Sequence, residues 1–155
     1  MKDQSELPTL LIVEDSEEYF EVLSWTIERA SDRAISIERC IDGDDALDYF
    51  HREGRHRDRA NCPNPDLVLL DLNLPGTDGR EVLTIVKTTD RLKTIPVVIL
   101  TTSANPHDIQ SCYQAGANSY MLKPMQIDEL RDLLRACLDY WFNRSVLPTS
   151  IDTWP

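Results

Sequence analysis

The residues of this sequence best suited to chemistry are polar residues that directly follow apolar runs. They are Glu14, Asp15, Asp71, Thr101 and Lys123. Three carboxylates brought together repel one another unless a cation offsets their charge, and their oxygens suit Mg²⁺. A lysine and a hydroxyl beside them would hold phosphoryl oxygens while a carboxylate attacks the phosphorus. This set of residue types therefore predicts a site for Mg²⁺-assisted phosphoryl transfer.

An alternation of strands and helices would bring these residues to one place. The run before Asp71 is apolar throughout and is followed by Pro75 and Gly76, which is typical of a parallel strand buried on both faces. The pattern predicts five strands, at about 9–13, 35–40, 67–70, 97–100 and 119–122, each followed by a helix. Such an alternation predicts an α/β fold with helices on both faces of a parallel sheet. Ligands of these sheets collect at the carboxyl ends of the strands.

The chain length and the net charge are those of a single acidic domain. A chain of 155 residues is long enough for one substantial core, and its net charge of -11 argues against nucleic-acid binding. No stretch is long and apolar enough to cross a membrane, and residues 1–8 lack the core of a signal peptide, so we expect a cytoplasmic protein. The four cysteines form no CxxC pair, which favours reduced thiols over a zinc site or disulfides.

The segment from His51 to Pro65 has no clear periodicity. Its first part, His51 to Arg59, is locally basic, and Pro63 and Pro65 disfavour a continuing helix. We expect an extended surface loop, either solvated or docking a protein. The absence of interleaved aromatic residues disfavours a nucleic-acid site there.

Four features make the chain resemble the receiver domain of two-component response regulators. They are the acidic pair 14–15, the segment from Asp71 through Leu-Asn-Leu-Pro-Gly-Thr-Asp-Gly, Thr101 after its apolar run, and 116–124 with its terminal Lys-Pro. The resemblance covers about Thr9 to Trp141. It implies a flavodoxin-like, doubly wound sheet of five parallel strands in the order 2-1-3-4-5.

The resemblance also implies a role for each site residue. Asp71 would be the phosphoacceptor, and the cation, Mg²⁺ with Mn²⁺ as a substitute, would be held by Glu14, Asp15, Asp71 and the Asn73 carbonyl. Phosphoryl binding and switching would involve Thr101, Thr102, Lys123 and Tyr120, with Tyr120 changing rotamer together with Thr101. Lys123 and Pro124 would be joined by a cis peptide bond.

The function implied is that of a phosphorylation switch driven by a histidine kinase. The protein would catalyse only its own phosphorylation and dephosphorylation, and it would signal through protein contacts, phosphoryl relay or feedback on the kinase. Two alternatives remain open. One is a decayed receiver that acts as a phosphorylation-independent binding module. The other is an aspartyl-phosphate phosphatase, which is disfavoured because Asn73 stands where a second acid is needed.

A narrower resemblance connects the chain to small response regulators of cyanobacterial and bacterial phytochromes. It rests on the long loop before the Asp71 strand, on Thr-Thr-Ser at 101–103 and on the Trp-rich end, and it implies a phytochrome as the kinase. We expect a receiver domain over 1–142 and a C-terminal extension over 143–155. The apolar residues near this end favour a homodimer interface over a tail folded on its own domain: Trp141, Phe142, Val146, Leu147, Ile151 and Trp154.

Overall fold

The computed structural model describes residues 7–61 and 64–148, which include a five-stranded parallel sheet. The strand order is 2-1-3-4-5, which confirms the expected doubly wound topology. The strands are β1 (Thr9–Val13), β2 (Ser36–Cys40), β3 (Leu67–Leu70), β4 (Val97–Thr101) and β5 (Ser119–Leu122). Every pairing is parallel, so all five carboxyl ends lie along one edge.

Within the described residues, five α-helices connect and follow the strands. They are α1 (Glu17–Ala30), α2 (Gly43–His51), α3 (Gly79–Thr88), α4 (Pro106–Ala115) and α5 (Ile127–Leu138). The first four begin at side chains that accept a hydrogen bond from a backbone N–H of the first turn: Ser16, Asp42, Asp78 and Asn105. These caps satisfy amide groups that have no partner inside the helix, which explains where each helix starts.

The sheet has an apolar core on each face because successive strand residues point in opposite directions. In β1, Leu10 and Ile12 pack with α1 and α5, whereas Leu11 and Val13 pack with α2, α3 and α4. All four residues of β3 are buried, as the continuous apolar run predicts. The two cores hold the strand ends rigidly, and this rigidity positions the polar residues that follow them.

The segment after α2 differs from the extended loop expected for it, because Gly54–Asn61 forms a 3₁₀ helix. Positive φ angles at Arg52 (60°) and Gly54 (54°) reverse the chain and direct it back across α2. Arg55 and His56 then pair with Asp45, and the Arg59 guanidinium lies 3.4 Å from the centroid of the Tyr49 ring. The basic residues therefore bind the domain itself, which periodicity could not reveal.

The helical structure at the C-terminal end does not stop with α5. It continues into a π-helical segment, Asp139–Arg144. The wider winding buries Phe142 against α1 and α5, and Arg33 donates a 3.2 Å hydrogen bond to the Phe142 carbonyl oxygen. This tertiary contact explains why the helix does not end at the last residue of its apolar stripe.

The peptide bond before Pro124 differs from the expectation. The described residues contain no cis peptide bond, so the expected cis bond between Lys123 and Pro124 is wrong. The trans form is intrinsically the lower-energy form of an X–Pro bond, by about 0.5 to 1 kcal/mol.

Within the part of the chain that the structure describes, no helix is long and apolar enough to span a membrane.

Candidate functional site

Asp71 follows β3 directly and is 6% exposed at the carboxyl edge of the sheet. Its amide donates a 3.1 Å hydrogen bond to the Val13 carbonyl oxygen, which extends the pairing of β3 with β1 by one residue. Gly79 lies directly behind it, since a Cβ at that position would overlap the Asp71 carbonyl oxygen. The glycine at the start of α3 thus permits the close approach that closes this side of the site.

Two further carboxylates lie beside Asp71. Glu14 is 3% exposed, whereas Asp15 is exposed, and oxygens of these two and of Asp71 lie within 4.8 Å of one another. Three carboxylates at this separation are a chemically suitable ligand set for a hard divalent cation. Arg39 holds the backbone of the pair in place, because its guanidinium donates to the carbonyl oxygens of Glu14 (3.2 Å) and Asp15 (3.3 Å).

Lys123 bridges the two buried carboxylates. Its Nζ lies 2.8 Å from Glu14 Oε2 and 2.9 Å from Asp71 Oδ2, and it lies 4.3 Å from the centroid of the Tyr19 ring. Burial raises the pKa of Glu14, and Lys123 opposes this rise. Burial alone would lower the pKa of Lys123, but its hydrogen bonds to Glu14 and Asp71 raise it above its usual value. The lysine is therefore a charged counter-ion within the carboxylate site.

Thr101 ends β4 and is completely buried. Lys123 donates its backbone N–H to the Thr101 carbonyl oxygen at 2.8 Å, so β4 and β5 place these two residues side by side. The Thr101 hydroxyl oxygen accepts from the Ser103 amide at 3.3 Å, which leaves its proton available for another acceptor. Thr102, the next residue, is exposed.

Tyr120 lies half-buried on β5 and contacts the loop that follows Thr101. Its phenol hydroxyl donates a 2.8 Å hydrogen bond to the Ser103 carbonyl oxygen. Ser103 thus connects Tyr120 to the Thr101 hydroxyl through its own carbonyl and amide groups. Thr101 and Tyr120 were expected to change together, and in the structure each of them forms a hydrogen bond with Ser103.

A set of ion pairs beside this loop was not expected from the sequence. Arg80, in the first turn of α3, binds Asp108 of α4 through Nε and Nη2, each at 2.9 Å, and its Nη1 contacts Asp78 at 3.0 Å. Asp108 also accepts a 2.6 Å hydrogen bond from the Ser103 hydroxyl. Arg80 and Asp108 are 28 residues apart, and no local pattern marks them as partners; only the topology brings them together.

The expected metal, phosphoryl-binding and switch residues divide into a cluster and its surroundings. Glu14, Asp15, Asp71 and Lys123 form the cluster, and Asn73 is exposed beside it, with its amide 3.4 Å from Asp71 Oδ1. Thr101, Thr102 and Tyr120 belong to the neighbouring β4 and β5 strands and the loop after Thr101.

The expected dimer residues lie elsewhere. Phe142 is buried in its own chain, and Trp141 and Leu147 are half-buried against the same core. Val146, in contrast, is 86% exposed. Ile151 and Trp154 lie outside the described residues, as does Cys62, while Cys40, Cys112 and Cys137 are free and buried.

Residues 10–135 match the family model described as the response regulator receiver domain. The chain belongs to this family. The receiver domain is 36% identical over 152 residues to the response regulator Rcp1 of Synechocystis sp. (strain ATCC 27184 / PCC 6803 / Kazusa). This alignment covers 97% of this chain and 100% of that relative. It follows that the chain is a receiver domain of two-component signalling.

Two solved structures show the same relationship. The phosphorylated cyanobacterial phytochrome response regulator RcpA superimposes with a TM-score of 0.85 at 34% identity, covering 92% of this receiver chain and 99% of that one. The Mn²⁺-bound form of Rcp1 gives a TM-score of 0.82 at 34% identity, covering 91% and 99%. The resemblance to phytochrome response regulators that the sequence indicated is therefore confirmed.

Proposed function

We propose that the protein is a response regulator whose Asp71 receives a phosphoryl group from a histidine kinase with the help of Mg²⁺. The observation that carries this proposal is the Lys123 bridge between Asp71 and Glu14, within a group of three carboxylates. A purely structural ion pair would need one acid, whereas this lysine faces two buried acids and a third exposed one beside them. The surplus negative charge favours a bound cation.

The chemistry is nucleophilic attack by the Asp71 carboxylate on the phosphorus of phosphohistidine. A P–O bond forms as the P–N bond breaks, and the imidazole nitrogen keeps the electron pair and takes up a proton. When bound by Glu14, Asp15, Asp71 and the Asn73 carbonyl, Mg²⁺, or Mn²⁺ in its place, offsets the charge of the carboxylates and phosphoryl oxygens. Lys123 then releases one of its two carboxylate partners, Glu14 or Asp71, and pairs with a phosphoryl oxygen.

The switch follows from the groups around the new acyl phosphate. The Thr101 hydroxyl, whose proton is not used in its contact with Ser103, donates to a phosphoryl oxygen, with exposed Thr102 next to it. Drawing Thr101 toward Asp71 pulls on the Ser103 amide and so on the carbonyl oxygen that Tyr120 binds. Tyr120 changes rotamer as this loop moves. A partner that prefers the moved conformer reads the phosphorylation state.

The kinase that fits best is a phytochrome. Rcp1 and RcpA are 34 to 36% identical to this chain and align over nearly all of it, and RcpA is described as a phytochrome response regulator. The protein is then a cytoplasmic signalling switch rather than a turnover enzyme, and it works through protein contacts instead of nucleic acid. We include a homodimer in this proposal, with exposed Val146 as its contact among the described residues.

Intact-protein mass spectrometry tests the phosphoryl chemistry. The protein is incubated with acetyl phosphate, with and without Mg²⁺, beside the isosteric control Asp71→Asn. We expect the mass of one phosphoryl group on the native chain only when Mg²⁺ is present, stable in acid and lost in base. No adduct, under conditions that modify a known receiver domain, would favour the binding-module alternative; an adduct on the control would exclude Asp71 as the single acceptor.

A further inference from the structure

A second group of metal-ligating side chains lies outside the carboxylate site. Cys40 ends β2, Asp45 belongs to the first turn of α2, and His56 belongs to the 3₁₀ helix. The thiol sulfur, one carboxylate oxygen and one imidazole nitrogen of these residues lie within 4.8 Å of one another. Three separate elements converge here, and the proposed phosphorylation chemistry uses none of the three side chains.

The group is buried and already partly ordered. Cys40 is completely buried, and the side chains of His56 and Asp45 are 8% and 10% exposed. His56 Nε2 lies 2.8 Å from Asp45 Oδ1, and the Asp45 carboxylate also accepts from the Ile41 amide at 2.9 Å. The His56 ring packs edge-on against Tyr49, with centroids 5.1 Å apart. Ligands held this way lose little conformational entropy when a metal binds.

The three donor types select a different cation from the one proposed at Asp71. Thiolate and imidazole favour a borderline or soft metal, and Zn²⁺ accepts thiolate sulfur, imidazole nitrogen and carboxylate oxygen as ligands in tetrahedral sites. Tetrahedral bonds of about 2.3 Å to sulfur and about 2.0 to 2.2 Å to nitrogen and oxygen place the ligand atoms about 3.4 to 3.6 Å apart. Shifts of about 1 Å would bring the present atoms to these separations.

We propose that Cys40, Asp45 and His56 form a zinc-binding site, with water as the fourth ligand. The 3₁₀ helix supplies His56, so this segment, which the phosphorylation chemistry leaves without a role, would complete the site. Zinc binding would join the end of β2 to α2 and to the 3₁₀ helix.

Arg55 is the group that competes with the metal. It donates to both Asp45 oxygens, at 2.8 Å from Nε to Oδ1 and 2.5 Å from Nη2 to Oδ2. Its side chain is 57% exposed, so it can withdraw from Oδ1 while the Ile41 amide continues to hold Oδ2. We therefore expect Arg55→Gln to bind zinc more tightly than the native chain, because it removes a cation from the site.

Binding requires two proton adjustments. Cys40 loses its thiol proton to solvent as the Zn–S bond forms, and His56 binds through Nε2 as the tautomer protonated at Nδ1. Burial raises the pKa of the Cys40 thiol, so without metal it stays protonated and unreactive. Zinc affinity should consequently rise with pH, by up to tenfold per pH unit for one released proton.

Cobalt absorption tests the site, since Co²⁺ substitutes for Zn²⁺ and shows a charge-transfer band only when a thiolate binds it. The tag-free full chain is titrated in excess Mg²⁺, which occupies carboxylate sites but does not compete for sulfur. All proteins carry Cys62→Ser, because Cys62 lies outside the described residues and could add its own signal. Variants Cys40→Ser and His56→Gln are compared with Cys112→Ser, which removes another buried thiol.

We expect one cobalt per chain with a thiolate band, displaced by one equivalent of zinc. The band should disappear in Cys40→Ser, persist in Cys112→Ser, and require at least about tenfold more cobalt in His56→Gln. Zinc should raise the melting temperature of the parent Cys62→Ser protein but not of its Cys40→Ser variant, with circular dichroism confirming that both are folded. No thiolate band in the parent protein, or a band that survives Cys40→Ser, would overturn the proposal.

Discussion

Lys123 Nζ lies 2.8 Å from Glu14 Oε2, so the lysine of this site is shared between two buried acids. A lysine bound to one acid could reach a phosphoryl group only by leaving that acid unpaired. With two partners, Lys123 can release one and keep the other, and a cation bound among the carboxylates would compensate the one released. The contacts of Lys123 with Glu14 and Asp71 are therefore compatible with an Asp71 that alternates between a free and a phosphorylated state.

Removal of the Lys123 charge should destabilise the resting protein. Lys123→Ala leaves Glu14 and Asp71 buried together without a counter-ion, and we expect a loss of about 3 kcal/mol in the free energy of unfolding. Mg²⁺ should restore part of this loss. Urea unfolding with and without Mg²⁺ measures both effects. Lys93→Ala, which removes an exposed ion pair with Asp90, is the control and should change the free energy of unfolding little. A Lys123→Ala protein as stable as the native chain would contradict the counter-ion role.

The Tyr120 hydrogen bond should matter in one state of the switch only. Tyr120→Phe removes its bond to the Ser103 carbonyl oxygen and should cost the resting protein about 1 kcal/mol. With beryllofluoride and Mg²⁺ bound as a phosphoryl mimic, the phenol has already left Ser103, so the cost should shrink. Urea unfolding in both states gives the comparison, and equal costs in the two would argue against movement of Tyr120.

The ion pair of Asp108 with Arg80 should be visible in an acid titration. The Arg80 and Ser103 hydrogen bonds lower the pKa of Asp108 to about 2. Because the folded value lies below the unfolded one, the pairing stabilises the fold above about pH 4, and this contribution is lost as the pH falls toward 2. NMR titration of the carboxyl carbon should find a midpoint near that value.

Arg80→Gln should raise the Asp108 midpoint toward an ordinary carboxyl value. Arg131→Gln, which removes the arginine of an exposed pair with Asp128, serves as the matched control and should leave it unchanged. If Asp108 titrates at the same pH with and without Arg80, then the two are not paired in solution.

The proposed homodimer should depend on exposed apolar surface near the C-terminal end. Val146 is 86% exposed, so Val146→Glu should not disturb the core, yet it would place a charge in the interface. Light scattering should then report a monomer. Met125→Glu, at a fully exposed methionine elsewhere, is the control and should remain dimeric. An unchanged molar mass for Val146→Glu would remove Val146 from the interface.

The parts of the fold that sequence predicts well are those set by local pattern. The unbroken apolar run before Asp71 is typical of a buried parallel strand, and the parallel topology then brings Glu14, Asp15 and Lys123 to the same edge. The capping residue Ser16 likewise marks the start of α1, because its hydroxyl satisfies a free amide there.

The features that sequence could not predict depend on contacts between distant elements. The 3₁₀ helix is held by Arg55 and His56 against Asp45, and the π-helical segment is held by burial of Phe142. Neither set of contacts produces a periodic pattern in the sequence. The expected cis bond at Pro124 came from the family resemblance rather than from a local pattern, and the structure does not have it.

The most direct test of the phosphorylation site locates the phosphoryl group on the chain. After incubation with acetyl phosphate and Mg²⁺, borohydride reduces an aspartyl phosphate to homoserine, which peptide mass spectrometry assigns to one position. We expect homoserine at position 71 and nowhere else, with none formed in Asp71→Asn. Homoserine at 15, or the five-carbon product 2-amino-5-hydroxypentanoic acid that a glutamyl phosphate at 14 would give, with aspartate intact at 71, would contradict this expectation.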